Sequence, residues 1–195
     1  MSENFFAYIS RMRYITRWSL MRNSYEENIQ EHSHMVAVLA HGLAVIRNRY
    51  FGGCVDEGAV AVAALYHDAS EILTGDLPTP IKYYNPAIRD SYKAIESVAQ
   101  DKLLGMLPEA MQADFAPVLK EAADGEVAEL VKAADKLAAY IKCVEEQKAG
   151  NNEFCAAAKQ IHQTLSEYPL PEVGFFMEHF LPAFTLTLDE LNESN

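Results

Sequence analysis

Four residues of metal-ligating type are spread over about a hundred positions of this 195-residue chain: His32, the adjacent pair His67 and Asp68, and Asp135. Each stands in a stretch that reads as helix, so imidazole and carboxylate groups from separate helices can converge on one divalent ion. Such a set leaves coordination positions for water and substrate, the skeleton of a metal-dependent hydrolase. Glu71 follows His67 by four positions and Asp68 by three. On one continuous helix it projects from the same side, where it can exchange protons with water at the metal. The surrounding Ala61, Ala63, Ala64, Leu65 and Ile72 predict a helix buried apart from this polar patch. Burying a His, an Asp and a Glu there without partners is costly.

Each residue also has a plainer reading. A His-Asp dipeptide arises by chance in many proteins. His32 stands beside His34 and ahead of His41, and any of the three can be an ordinary helix histidine. Asp135 lies between Lys132 and Lys136 and can be an ion-pairing residue. His41, among Val38, Leu39, Ala40 and Leu43, is expected in the core or at an interface, and His34 at the surface or behind a metal ligand. His162 and His179 have no carboxylate constellation and read as structural. Arg11, Arg13, Arg17 and Arg22 cluster before residue 23, where Glu3 is the only acid. They either line a solvated face or form a local site for a small anion.

The elements that must position these groups read as helices. Phe5 to Ile15 predicts the first, and Glu31 to Arg47 the second, with Met35, Val36, Leu39, Leu43 and Ile46 at helical spacing. Gly52 and Gly53 break it, and Asp56 caps a helix from Ala59 to Leu73 that Gly75 ends. Residues 76–80, with Pro78 and Pro80, predict a rigid loop. A helix from Pro86 to Gly105 puts Ile88, Tyr92, Ile95, Val98, Ala99 and Leu103 on one side. Pro108 suits the first turn of the next, with Phe115 and Leu119 inward. The strongest pattern runs from Glu126 to Ala149, with Val127, Leu130, Val131, Ala134, Leu137, Ala138 and Ile141 on its apolar face. Residues 152–167 and 172–192 predict two more, the last interrupted by Pro182. The fold class is therefore all-α, a single domain over residues 1–195 with roughly seven to nine helices.

Composition bounds the rest. The chain is 50% apolar and 23% charged, as ordinary globular proteins are. No apolar run approaches the roughly 20 residues that span a bilayer. The N-terminus lacks a basic stretch followed by an apolar core, so no signal peptide is expected. Three widely spaced cysteines (Cys54, Cys143 and Cys155) are expected as free thiols in the cytoplasm. A net charge of −12 argues against a general nucleic-acid binder, whose affinity rests on neutralising phosphates.

The order His32, His67-Asp68, Asp135 resembles the HD-domain superfamily of metal-dependent phosphohydrolases. The likeness is closer to the bacterial 5′-deoxynucleotidases of the YfbR type. It runs through Arg17-Trp18-Ser19-Leu20-Met21-Arg22, Glu27-Asn28-Ile29-Gln30-Glu31-His32-Ser33, Tyr66-His67-Asp68-Ala69-Ser70-Glu71, residues 74–82 and residues 149–154. The resemblance implies an all-α HD fold with the metal among its helices, and a homodimer. It also implies cleavage of deoxyribonucleoside 5′-monophosphates to deoxynucleoside and inorganic phosphate. Position by position, it makes His32, His67, Asp68 and Asp135 the metal ligands and sets Arg17 on the phosphate. Glu71 would handle protons, Asp76 would sit at the phosphate end of the pocket, Thr79 would line the substrate site, and Trp18 would pack on the deoxyribose.

Physical chemistry is consistent with these roles. A phosphate dianion entering so acidic a protein needs concentrated local positive charge, which one divalent ion and a bidentate Arg17 supply. A lone Trp is commonly a core or interface anchor. Against the sugar's 2′ edge, though, it would leave a ribose hydroxyl desolvated, at a cost of roughly 1–3 kcal/mol. That is on the order of ten- to a hundredfold discrimination. Asp76 is either turn chemistry after Gly75 or, facing phosphate, a carboxyl that keeps its proton for the departing 5′ oxygen. Co²⁺, Mn²⁺, Mg²⁺ and Zn²⁺ all suit the donor set. Two other readings stand beside the first: an HD phosphohydrolase for another nucleotide or small phosphomonoester, and a non-catalytic nucleotide sensor.

Overall fold

The computed structural model describes residues 3–82, 84–120 and 125–193, without the side chain of Thr79. Helix α1 (Phe5–Ile9) tightens into a 3₁₀ turn over Ser10–Tyr14 instead of continuing as α-helix to Ile15. Asn28 opens α2 (Ile29–Tyr50), its side chain accepting from the amides of Gln30 and Glu31, so this helix starts two residues before the expected Glu31. Asp56 caps α3 (Glu57–Tyr66) in the same way through the Ala59 amide.

The expected helix from Ala59 to Leu73 is interrupted. It stops at Tyr66, turns through residues 67–70, and resumes as the single turn α4 (Glu71–Thr74). The cause is local. His67 Nδ1 donates to the Ala64 carbonyl at 2.7 Å, occupying the acceptor that the Asp68 amide would use in a regular helix. The following amides fall back on acceptors three residues earlier: Ala69 on Tyr66 and Glu71 on Asp68, each at 3.0 Å. Gly75, at φ +75°, ends α4 in a conformation open to glycine. The expected loop at 76–80 gives way to α5 (Thr79–Lys82) at its second half.

Asn85 caps α6 (Pro86–Leu104) through the Ile88 amide, with Pro86 in the first turn. This helix buries only part of the expected face: Tyr92, Ala99 and Leu103 are inside, whereas Ile88, Ile95 and Val98 face solvent. Pro108 stands just ahead of α7 (Glu109–Leu119) rather than in its first turn. Gly125 precedes α8 (Glu126–Lys148), a 3₁₀ turn over Asn152–Phe154 leads into α9 (Cys155–Ser166), and Pro171 opens α10 (Pro171–His179). A last 3₁₀ turn (Leu181–Thr185) and α11 (Leu188–Glu193) complete the order. Among the described residues, seven α-helices have nine residues or more, and β-structure is limited to one isolated bridge between Thr16 and Asn28. The fold class is all-α, as expected.

The main core forms where α2, α3, α8 and α10 pack, through Val36, Leu43, Val60, Leu130, Leu137 and Val173. A second cluster joins Phe5, Ala69, Leu103, Leu107 and Leu119 beneath α4. A third sets Trp18 and Met21 against Cys143, Phe154 and Ala158. Among the described residues no helix is long and apolar enough to cross a membrane.

One buried ion pair fastens the segment before α2 to α8. Glu146 accepts from Lys142, from the Ser24 amide at 2.9 Å and from Asn151 Nδ2 at 2.8 Å. Lys142 also donates to the Tyr25 carbonyl at 2.7 Å. Lys142→Met removes the cation and leaves a buried carboxylate, so it should destabilise by about 3–5 kcal/mol. Urea unfolding checks this; a loss below 1 kcal/mol would show the pair to be dispensable.

Candidate metal centre and active site

Helix packing brings together the four residues that stand far apart in the chain. His32 projects from the first turns of α2 and is fully buried, Asp135 comes from the middle of α8, and His67 and Asp68 come from the turn after α3. The His32 Nε2 lies 2.9 Å from Asp135 Oδ1 and 3.7 Å from Asp68 Oδ2. The His67 Nε2 lies 3.2 Å from Asp68 Oδ2. Donor atoms of His32, His67 and Asp135 fall within 4.8 Å of one another. The adjacency of His67 and Asp68 works because they sit in a turn, where both side chains reach one point that a straight helix would put about 100° apart.

The tautomer argues for a cation. With Nδ1–H committed to the Ala64 carbonyl, His67 turns Nε2 to the cluster, buried and 3.2 Å from Asp68 Oδ2. That position takes either a proton or a metal, because a bare lone pair facing two carboxylates is unfavourable without a cation between them. His32, His67, Asp68 and Asp135 fit such an ion as a set of two imidazoles and two carboxylates.

Charge is sharply polarised here. Burial disfavours the Asp68 carboxylate, but His67, His32 and Arg17 together hold its pKa far below the ordinary range. Desolvation likewise opposes Asp135, yet the His32 hydrogen bond and the charges of His32, Arg17 and His67 keep it at about 2. For His67, burial lowers the pKa, and Asp68, Asp135 and the Ala64 hydrogen bond together more than offset it, pushing the ring up to about 9. A proton therefore occupies the metal-facing position when no metal does.

Arg17 sits at the edge of this cluster. Its Nη1 lies 3.3 Å from Asp68 Oδ2 and its Nε donates to Glu27 Oε2 at 3.2 Å. Desolvation works against its charge, but Asp68, Asp135, Glu27 and Asp76 raise its pKa above the ordinary value. Glu71 is buried, with Oε2 unpartnered. Burial first, then the charges of Asp68 and Asp76, push it up to about 9, against Arg17 and Lys82. Asp76 is half-buried and also raised, by burial and by Asp68, while Arg17 opposes. Glu71 does not share a helix with His67, as its spacing suggested; it begins α4, and the turn brings it back beside the cluster. Trp18 packs on Phe154 with ring centroids 5.3 Å apart and donates from Nε1 to Glu27 Oε2 at 3.1 Å. Thr79, expected in the substrate site, has a side chain outside the described residues.

Of the other expectations, His34 is exposed, and so is His41, which the apolar neighbours had suggested for the core or an interface. Its stretch of α2 turns Val38 and His41 outward together. Arg11, Arg13 and Arg22 are exposed as well, so Arg17 alone of the four arginines joins the cluster. Sequence reasoning did not single out Glu27 or Lys82. Glu27 directly precedes the cap of α2, where an acid reads as a helix-dipole partner. Lys82 pairs with Glu96 at 2.8 Å and lies over the Tyr92 ring, close enough to act on Glu71 and Asp76.

Comparison with known proteins places this geometry. Residues 4–184 match the family of YfbR-like 5′-deoxynucleotidases. The chain belongs to this family. A 5′-deoxynucleotidase of Vibrio vulnificus is 52% identical over 191 residues, which cover 97% of this chain and 98% of that protein. The 5′-deoxynucleotidase YfbR of Escherichia coli O1:K1 is 52% identical over 194 residues, covering 99% and 98%. Among solved structures, an HD-domain phosphohydrolase of Listeria innocua superposes with a TM-score of 0.81 at 25% identity, over 98% of this chain and 96% of that one. The HD phosphohydrolase DatZ of cyanophage S-2L, bound to dA and one catalytic Zn²⁺ ion, shares the fold with a TM-score of 0.62 at 20% identity, over 93% and 98%. Membership in the YfbR-like family makes this chain a metal-dependent phosphohydrolase of the HD class.

Proposed function

We propose that the chain is a metal-dependent 5′-deoxynucleotidase, hydrolysing deoxyribonucleoside 5′-monophosphates to the deoxynucleoside and inorganic phosphate. The observation that carries this reading is the meeting of Arg17 with the His32, His67, Asp68 and Asp135 cluster, 3.3 Å from Asp68. A bound divalent cation would supply positive charge to the phosphoryl oxygens and acidify water. Arg17, with Nε tied to Glu27, directs its Nη groups to the phosphate as a pair of parallel donors. Hydrolysis breaks the bond between phosphorus and the 5′ oxygen, so water surrenders a proton and the departing oxygen takes one. Glu71 and Asp76 are the carboxyl groups whose pKa is raised towards that task. Trp18 borders the sugar and disfavours a 2′-hydroxyl.

The finer features belong to the same reading. One cation binds per chain, and Co²⁺ (cobalt), Mn²⁺, Mg²⁺ and Zn²⁺ are all compatible with two imidazoles and two carboxylates. The enzyme is a single domain that works as a homodimer in the cytoplasm, in keeping with three free cysteines. Its partner is a small nucleotide.

Phosphate release from matched deoxy- and ribonucleoside 5′-monophosphates tests the function, using metal-free protein resupplied with each cation in turn. The expected result is inorganic phosphate released from the deoxy forms at least about tenfold faster than from the ribo forms. Release from neither sugar, with metal verified in the protein, would sink the reading. Tight deoxynucleotide binding without turnover would replace it with a sensor.

A further inference from the structure

Three parts of the candidate site meet at Glu27, so far named only as the anchor of Arg17 Nε. Its Oε2 accepts from Arg17 Nε at 3.2 Å and from Trp18 Nε1 at 3.1 Å, while Oε1 lies 3.9 Å from His32 Nδ1. The backbone sets it there. Arg17 N–H donates to the Glu27 carbonyl at 2.8 Å and Ile29 N–H to the Ile15 carbonyl at 3.0 Å, around the bridge of Thr16 with Asn28. This short clip plants the carboxylate opposite the two side chains it holds.

Trp18 also has a backbone φ of +57°, unique among the described non-glycine residues. Bulky residues avoid that region and persist in it where their surroundings over-determine them. Here the surroundings are Glu27 on the indole nitrogen, Phe154 on the ring, and the Met21 amide on the Trp18 carbonyl at 2.9 Å.

We propose that Glu27 is a positioning residue through which sugar discrimination and phosphate binding are set by one carboxylate. The inference rests on the reading that Trp18 faces the sugar and Arg17 the phosphate. An indole N–H free to turn could donate to a ribose 2′-hydroxyl and so accommodate ribonucleotides. Glu27 consumes that donor, and a 2′-hydroxyl then meets ring carbon with no partner, which is what a site that rejects it requires. By holding Nε, the same oxygen keeps the guanidinium fork turned towards the cluster.

The test compares Glu27→Ala, Glu27→Asp and Glu27→Gln with Trp18→Ala in metal-loaded enzyme. Asp keeps the charge but withdraws the carboxylate by one methylene, whereas Gln keeps an acceptor oxygen in place. In Ala and Asp the deoxy-to-ribo ratio of kcat/KM should fall about tenfold, the effect of one polar group gaining a partner. KM for the deoxynucleotide should rise more than kcat falls, with metal content unchanged. In Gln the ratio should stay within about threefold of the parent enzyme. Trp18 is the only tryptophan, so acrylamide quenching of its fluorescence reads the tether directly and should increase in Ala and Asp but not in Gln. Should Ala fail to fold, Asp decides. A parent-like ratio and parent-like quenching in Asp would overturn the proposal. Should Trp18→Ala leave the ratio unchanged, the sugar-facing reading of Trp18 fails instead. Quenching alone then judges the tether, unchanged quenching in Asp overturning it and greater quenching upholding it.

Discussion

Asp68→Ala is expected to release the metal and to lower kcat on a deoxyribonucleoside monophosphate by at least about 10³-fold, since removing even one transition-state donor costs on the order of 10²–10³. The reason is its central place. One oxygen of Asp68 lies 3.2 Å from His67 Nε2, 3.3 Å from Arg17 Nη1 and 3.7 Å from His32 Nε2. Removing it takes a ligand from the cation and a counter-charge from Arg17 in the same step. Its loss also changes how metal binding depends on pH. In the parent protein Asp68, with Asp135 and the Ala64 hydrogen bond, raises His67 to about 9, so metal and proton compete for one nitrogen at neutral pH. Metal affinity should therefore climb with pH up to about 9 and level off above it, with a proton released on binding. Metal analysis and titration calorimetry in buffers of different ionisation enthalpy read these effects. An Asp68→Ala protein that keeps a full metal complement and a tenth of its turnover would remove Asp68 from the ligand set.

The helices that carry the outer two ligands were legible from periodicity. The apolar rows of α2 and α8 turn His32 and Asp135 to the side that packs, whereas the Asn28 cap, which starts α2 two residues before Glu31, was not read. The break after Tyr66 was not legible. Residues 59–73 are apolar enough to continue a helix, and no propensity anticipates a histidine ring taking the Ala64 carbonyl. Placing Glu71 beside the cluster needed no continuous helix, only proximity, and the turn provides that by another path. The solvent-facing row on α6 shows the opposite limit. Ile88, Ile95 and Val98 are spaced as a buried face, but burial depends on what packs there, and α6 commits Tyr92, Ala99 and Leu103 instead. Arg17 was legible as a cation near the site. Its partner Glu27 was not, because it stands ten positions further along irregular chain and only the folded clip brings the two together.

The polarisation of the centre follows from placing one arginine and two imidazoles among five carboxylates in a protein of charge −12. Burial disfavours the charge on all four, but Asp68 and Asp135 lie against the cationic groups and stay ionised, whereas at Glu71 and Asp76 burial and the neighbouring acids outweigh Arg17 and Lys82 and raise the pKa. On the proposed function, carboxyl groups pushed apart in this way would divide the labour: the low pair would face positive charge, and Glu71, pushed up to about 9, would hold a proton.

Glu71→Gln separates those duties most clearly, because it should lower activity and raise the stability of the metal-free protein together. Losing a positioned proton carrier costs about 10²–10⁴ in kcat, and an amide of the same shape leaves packing in place. The stability effect has a definite sign. Folding raises the Glu71 pKa from 4.5 to about 9, so between those values the folded chain retains a proton that the unfolded chain has lost. Stability therefore falls as pH rises from about 4.5 to about 9 and is flat outside that window. The slope of one such group is at most about 1.4 kcal/mol per pH unit. Glutamine does not titrate, so its metal-free protein should lose this slope, matching the parent below pH 4.5 and exceeding it at pH 8.5. Urea unfolding of both metal-free proteins across that range gives the comparison, with kcat measured on the metal-loaded forms. Parallel stability profiles would show that Glu71 is ionised in the folded chain, and it would then serve as an acceptor rather than a donor of the proton.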